Sequence, residues 1–113
     1  MLPEAGDIFW VELDPVRGSE QAGRRPAIIL SDRLYHEASR RAVICPITWT
    51  ARDWPFNVPV PEGLRTKGVV LVDQVRAIER SQRLFDFIET APESLLAQIQ
   101  GKLAALIGIP GSP

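Results

Sequence analysis

The chain has 113 residues, room for one small domain with a single hydrophobic core and too few for two. Hydrophobic residues make up 45% of it and charged residues 24%, the balance of a folded globular protein, and no apolar run approaches the ~20 residues that span a bilayer. A net charge of −1 excludes a general attraction to nucleic acid or acidic lipid, so an anionic ligand has to be held locally.

Ile8 to Leu13 is predicted as the first strand, with Phe9, Val11 and Leu13 on the core face and Ile8, Trp10 and Glu12 on the other. Asp14-Pro15 ends it, and Val16 to Arg25, polar and punctuated by Gly18 and Gly23, reads as a long loop. Pro26 opens the buried strand Ala27-Ile28-Ile29-Leu30 and has to stand at its very start, because proline cannot donate to a ladder. Ser31 or Asp32 caps a short helical turn through Ser39. Ala42 to Thr48 is a strand in which Pro46 implies an edge or a bulge. Beyond the polar-aromatic loop TWTARDWPF, Asn57 to Pro61 reads as an edge strand, and Arg65-Thr66-Lys67-Gly68 turns into the core run Val69-Val70-Leu71-Val72. Gln74 to Ile78 and Leu84 to Ile88 are two further strands, divided by a turn at Arg80-Ser81-Gln82.

Thr90-Ala91-Pro92-Glu93 has the spacing of a capping box and predicts a helix start. Leu95, Leu96, Ile99, Leu103, Leu106 and Ile107 recur at helical intervals as one apolar stripe, ended by Gly108 and Pro110. Six or seven short strands followed by one packing helix make a mainly β form of the α+β class, most economically a small, strongly bent barrel.

Several chemistries are excluded or disfavoured by residue counts. The single cysteine, Cys45, cannot form an internal disulfide, and with the single histidine, His36, it cannot build a His/Cys zinc cage. A two-histidine ribonuclease mechanism is impossible for the same reason. Cys45, inside a strand beside Pro46, reads as a small buried hydrophobe rather than a thiolate. The basic residues are eleven Arg and two Lys, and arginine's planar fork suits bidentate phosphate contacts. The N-terminus MLPEAGD lacks the basic-then-apolar layout of a signal peptide, which makes the cytoplasm the expected location.

The segment that stands out is Gly18-Ser19-Glu20-Gln21-Ala22-Gly23-Arg24-Arg25-Pro26-Ala27-Ile28-Ile29-Leu30, which sets a carboxylate, an amide and two guanidinium groups just before a buried strand. It resembles the signature of the MazF/PemK family of toxin endoribonucleases, in which a G-x-E-Q-x-G-x-R-P-like loop leads into an apolar strand. Gly6-Asp7-Ile8 with Asp14-Pro15, Cys45-Pro46-Ile47-Thr48 and Asp73-Gln74-Val75-Arg76 match in the family's order, so the resemblance runs from about Gly6 to Ile107. It implies an SH3-like barrel of the MazF/PemK/CcdB type with a C-terminal helix. It further implies a homodimer that cleaves single-stranded RNA without a metal or other cofactor, and a MazE-like antitoxin that blocks the RNA groove.

Carried onto this chain, the resemblance puts the catalytic arginine at Arg25, the catalytic threonine at Thr48 and the acidic loop position at Glu20, as base or orienter. Arg25 would stabilise charge on phosphate oxygens, with Thr48 adding a neutral donor; arginine holds its proton tightly, so an acid role for Arg25 rests on the resemblance. Plainer uses exist: Thr48 as a turn cap, Glu20 as a surface partner of Arg24. RNA also needs stacking surfaces and phosphate contacts, for which Gln21, Arg24, Trp49, Arg52, Trp54, Arg65, Lys67, Gln74 and Arg76 are candidates. Phe56 reads as core, and Trp10 as packed at a subunit interface or under the helix. The rival functions are a gyrase-poisoning toxin of the same fold and a non-catalytic small-barrel RNA-binding module. An acidic, flexible antitoxin tail is the expected inhibitor, since it competes for the same arginines.

Overall fold

The computed structural model describes residues 2–13 and 23–111, so the candidates Glu20 and Gln21 lie outside the described residues. In chain order the elements are β1 (Asp7–Glu12), β2 (Arg24–Ile29), α1 (Arg33–Ala38), β3 (Arg41–Thr48), β4 (Asn57–Pro59), β5 (Val69–Leu71), a 3-10 turn (Val72–Gln74), β6 (Arg76–Glu79), α2 (Arg80–Arg83), β7 (Leu84–Thr90) and α3 (Glu93–Leu106). The strands form one antiparallel sheet in the order β4-β5-β3-β2-β1-β7, with β6 paired to β3. Among the described residues, seven strands and a C-terminal helix make the mainly β class expected.

The core has two layers, one on each face of the central strands. Ile8, Ile28, Cys45, Ile47, Val70 and Val72 meet Leu95 and Ile99 of α3 on one face. Val11, Leu13, Ala27, Ile29, Ile44 and Ile78 fill the other. The expectation of one buried face on β1 is therefore corrected: Ile8 and Val11 are both fully buried. Covering on two faces is also why β2 and β3 read as continuous apolar runs rather than alternating ones. Truncating one of the deepest side chains, as in Ile28→Ala, should cost about 2–5 kcal/mol.

Hydrogen-bond parity explains where the prolines fit. Leu13 N–H donates to the Gly23 carbonyl at 3.0 Å, so Val11/Arg25 and Phe9/Ala27 are the bonded pairs and Trp10/Pro26 is not. Pro26 thus sits inside β2, and the strand starts at Arg24, two residues earlier than predicted. On its other flank β3 pairing begins only at Ala27. Pro46 stands where β3 exchanges neighbours, pairing with β6 through Ile44 and with β5 from Ile47 onward. Pro59 lies in β4, the edge strand the sequence predicted.

Asp32 caps α1 as expected, its carboxylate accepting from Tyr35 N–H at 3.0 Å. The capping box at α3 does not form. Thr90 belongs to β7 and its hydroxyl donates to Asp7 at 2.9 Å, while Pro92 stands at the N-cap without a side-chain bond. Leu95 and Ile99 are buried, but Leu106 and Ile107 at the end of the stripe are exposed. Of the run Val69–Val72, Val70, Leu71 and Val72 are buried and Val69 is half-buried, but Val72 has entered the 3-10 turn, so the next strand starts at Arg76 rather than Gln74; the turn at Arg80 is helical. Among the described residues no helix is long and apolar enough to cross a membrane.

Candidate nucleic-acid interface

Because β2 starts at Arg24, both arginines of the signature are held by a ladder rather than carried on a loop. Arg24 lies opposite Glu12 and Arg25 opposite Val11 on β1. The Arg24 guanidinium packs 4.2 Å over the Phe85 ring, which fixes its stem and leaves its edge to donate. The β2–β3 register, with Ala27 opposite Pro46, carried two residues further sets Arg25 across from Thr48.

Two hollows flank the end of β3, one lined by Thr48 and the other by its neighbours Ile47 and Trp49. The first, of about 420 Å³, brings together Arg24, Arg25, Arg65 and Lys67 with the tryptophans Trp10 and Trp49. Among the described residues no carboxylate lines it. Trp49 is 71% exposed and Trp10 39%, so neither tryptophan serves as core; Trp10 lines the groove instead of packing under the helix. The second hollow, of about 440 Å³, is lined by Thr48, Arg52, Trp54, Asp73 and Gln74. Its tryptophan is tethered, with Trp54 Nε1–H donating to Asp73 at 2.9 Å and the ring tilted against half-buried Phe56. The Asn57 amide N–H donates to the Arg52 carbonyl at 2.7 Å and holds that loop down.

Thr48 is only 5% exposed, and its hydroxyl donates to the Thr50 carbonyl at 3.1 Å. The turn-cap role is therefore realised, at the strand end that the two hollows flank. Arg76, opposite Ile44 on β6, lines neither hollow.

Three residues with structural parts here carried no such role in the sequence reading. Gly68, at φ +120°, sits where a Cβ would stand 2.0 Å from the Thr48 carbonyl oxygen; its only signal was a glycine before an apolar run. Asp73 anchors Trp54. Glu89 of β7 accepts from Arg65 N–H at 3.0 Å, from Thr66 N–H at 2.7 Å and from the Thr66 hydroxyl at 2.7 Å, bridging the gap between the two ends of the sheet.

The two residues set aside on chemical grounds are structural. His36 is buried, with Nδ1 donating to the Pro3 carbonyl at 2.8 Å; its Nε2 then accepts from Ser31, whose oxygen takes Val43 N–H. Burial, helped by the Asp73 charge, pushes the Cys45 thiol up to about 12. Among the described residues no three His, Cys, Asp or Glu side chains converge on a metal-sized site.

A model of the PemK-like, MazF-like toxins of type II toxin-antitoxin systems matches residues 4–107. The chain belongs to this family. It is 40% identical over 108 residues to the endoribonuclease toxin MazF of Escherichia coli (strain K12), covering 95% of this chain and 96% of that one. Its fold is similar to the crystal structure of MazF from Deinococcus radiodurans, with a TM-score of 0.89 at 39% identity over 96% of this chain and 99% of that one. A MazE-MazF crystal structure from the same organism matches with a TM-score of 0.82 at 38% identity over 96% and 98%. Within a MazF-like chain, the groove of four cations and two tryptophans is the natural place to look for substrate.

Proposed function

We propose that the protein is the toxin of a type II toxin–antitoxin pair, a sequence-selective endoribonuclease that acts as a homodimer on single-stranded RNA in the cytoplasm. The observation that carries this reading is the groove itself, where Arg24, Arg25, Arg65 and Lys67 surround exposed Trp49 and Trp10. Single-stranded RNA presents one phosphate per nucleotide and an unstacked base face, and this lining answers both. The E. coli relative is named an endoribonuclease toxin, and the D. radiodurans complex pairs MazF with MazE, which supports the same activity and an antitoxin partner. A gyrase-directed toxin has no need of phosphate-directed arginines at this edge.

In this reading the RNA 2′-hydroxyl attacks the adjacent phosphorus. The new P–O2′ bond forms as the P–O5′ bond breaks; the 2′-hydroxyl gives up its proton to a base and the departing 5′-oxygen takes one from an acid or from water, leaving a 2′,3′-cyclic phosphate and a 5′-hydroxyl. Charge gathers on the non-bridging oxygens, and Arg25, on a ladder-held backbone, supplies two parallel N–H donors to them without a metal ion. The Thr48 hydroxyl exchanges the Thr50 carbonyl for a phosphate oxygen when RNA enters. Glu20 serves as base or orienter. Arg24, Arg65 and Lys67 position neighbouring phosphates, Trp49 and Trp54 stack bases, and Gln21, Arg52 and Gln74 contact the flanking nucleotides. An antitoxin with an acidic, flexible tail silences the enzyme by folding over the same cations.

The test is incubation of the purified protein with a long single-stranded RNA in EDTA, with product ends mapped. Cleavage to 2′,3′-cyclic phosphate and 5′-hydroxyl ends is expected. Activity lost in EDTA and restored by magnesium, or 5′-phosphate products, would refute the mechanism. Retention of RNA without cleavage would favour the non-catalytic binding module.

A further inference from the structure

We infer that Glu89 is a positioning residue for RNA binding, its carboxylate holding the Arg65 and Lys67 wall of the groove in place. The inference rests on the reading of that groove as the RNA track. Arg65 and Lys67 lie between β4 and β5, where residues 60–68 are turns and irregular backbone, closed at the ends by Val60 N–H donating to the Gly68 carbonyl at 2.9 Å. Such a segment has few ladder bonds to fix it, so its cations need another anchor.

Glu89 provides one. A single carboxylate takes the N–H groups of the consecutive residues Arg65 and Thr66 together with the Thr66 hydroxyl, at 2.7 to 3.0 Å. Thr66 is 5% exposed, so its donors would find little water to replace the carboxylate if it were removed. Burial alone would raise the Glu89 pKa, but the Thr66 hydroxyl, the two backbone N–H groups and the Arg65 charge bring it below the ordinary value, keeping it ionised at neutral pH. Glu89 itself is fixed opposite Ile8 on β1, the strand that also holds Arg24 and Arg25 through β2. One strand therefore references both walls of the groove. At its far end the segment is pinned again, where Gly68 packs against the Thr48 carbonyl. The clamp lets the cations meet RNA already placed, rather than being ordered at each binding event.

Glu89→Gln keeps the size of the side chain but sets an NH2 group against one of two incoming N–H donors. Steady-state cleavage of a labelled single-stranded RNA oligonucleotide should show KM raised roughly tenfold, with kcat within about twofold. Amide exchange at Arg65 and Thr66 should accelerate in the folded variant. Glu89→Asp, retaining both oxygens on a shorter stem, should recover part of the KM. Thr66→Val removes only the hydroxyl donor and should raise KM by a smaller factor; it carries the test if Glu89→Gln does not fold. The double variant Arg65→Glu, Lys67→Glu probes the groove separately and should raise KM further than Glu89→Gln. If the double variant raises KM while Glu89→Gln leaves KM or the two amides unchanged, the clamp is wrong. Loss in kcat at constant KM would overturn it too, as would a folded Thr66→Val with unchanged KM where Glu89→Gln fails to fold. If the double variant itself leaves KM unchanged, the groove is not the RNA track.

Discussion

Replacing Gly68 by alanine tests how closely the Thr48 end of β3 is built against the strand that follows. Gly68 has φ +120°, and a Cβ there would stand 2.0 Å from the Thr48 carbonyl oxygen, 2.8 Å from its carbon and 3.1 Å from the Trp49 Cα. All three are backbone atoms, so no change of rotamer relieves the overlap. The backbone conformation alone costs alanine about 1–3 kcal/mol. Moving β3 and β5 apart to admit the methyl adds about 1–3 kcal/mol, the scale of an overpacked core. The sum, ~2–6 kcal/mol, is a large part of the ~5–15 kcal/mol that holds a domain together. At about 4 °C per kcal/mol for a chain of this size, Tm should fall by at least ~8 °C. Gly63→Ala is the internal control: its φ is +97° but nothing lies within 4 Å of the added Cβ, so it carries strain without the clash. Thermal unfolding followed by circular dichroism compares the two. A Gly68→Ala protein that melts within about 2 °C of wild type, or no lower than Gly63→Ala, would show that the close approach to Thr48 is not a constraint.

Arg25→Ala should stay folded and lose roughly 10²–10³ in RNA cleavage rate, the loss typical of one preorganised donor to a developing oxyanion, while Arg24→Ala loses less as a phosphate-positioning contact. Equal losses at the two positions in single-turnover assays would contradict the division of roles. Because the Glu89 pKa is lowered on folding, its stabilisation is complete above the ordinary glutamate range and lost as pH falls through the lowered value. Urea midpoints of wild type and Glu89→Gln should therefore differ most near neutrality and draw together as pH falls below the ordinary glutamate range. With its thiol pushed up to about 12, Cys45 should resist iodoacetamide in the native protein at pH 8 and react after unfolding, as mass spectrometry would read. Rapid native alkylation would mean that the core around Cys45 opens far more readily than its burial implies.

Features that depend on a residue's own covalent chemistry were legible in the chain. Asp32 caps α1, Pro59 marks an edge strand, Gly108 ends α3 at positive φ, and the spacing of Leu95 and Ile99 sets the helix face that meets the sheet. The family signature around Arg24 and Arg25 was legible for the same reason, since phosphate chemistry asks for those side chains whatever holds them. Its Glu20 and Gln21 fall outside the described residues. Features that belong to two segments at once were not legible. Whether Pro26 is tolerated inside β2 depends on which pairs across β1 exchange hydrogen bonds, a property of register rather than of proline. Thr90 had the spacing of a cap, yet its hydroxyl went to Asp7, 83 residues earlier, because β1 and β7 lie side by side. The Arg65 wall, the buried Thr66 and the Glu89 clamp arise only where the curled sheet brings its ends together across 23 residues of chain. Local propensity acts within a turn or two of chain, while a carboxylate chooses its donors by distance in space, and only the packed fold decides which donors arrive.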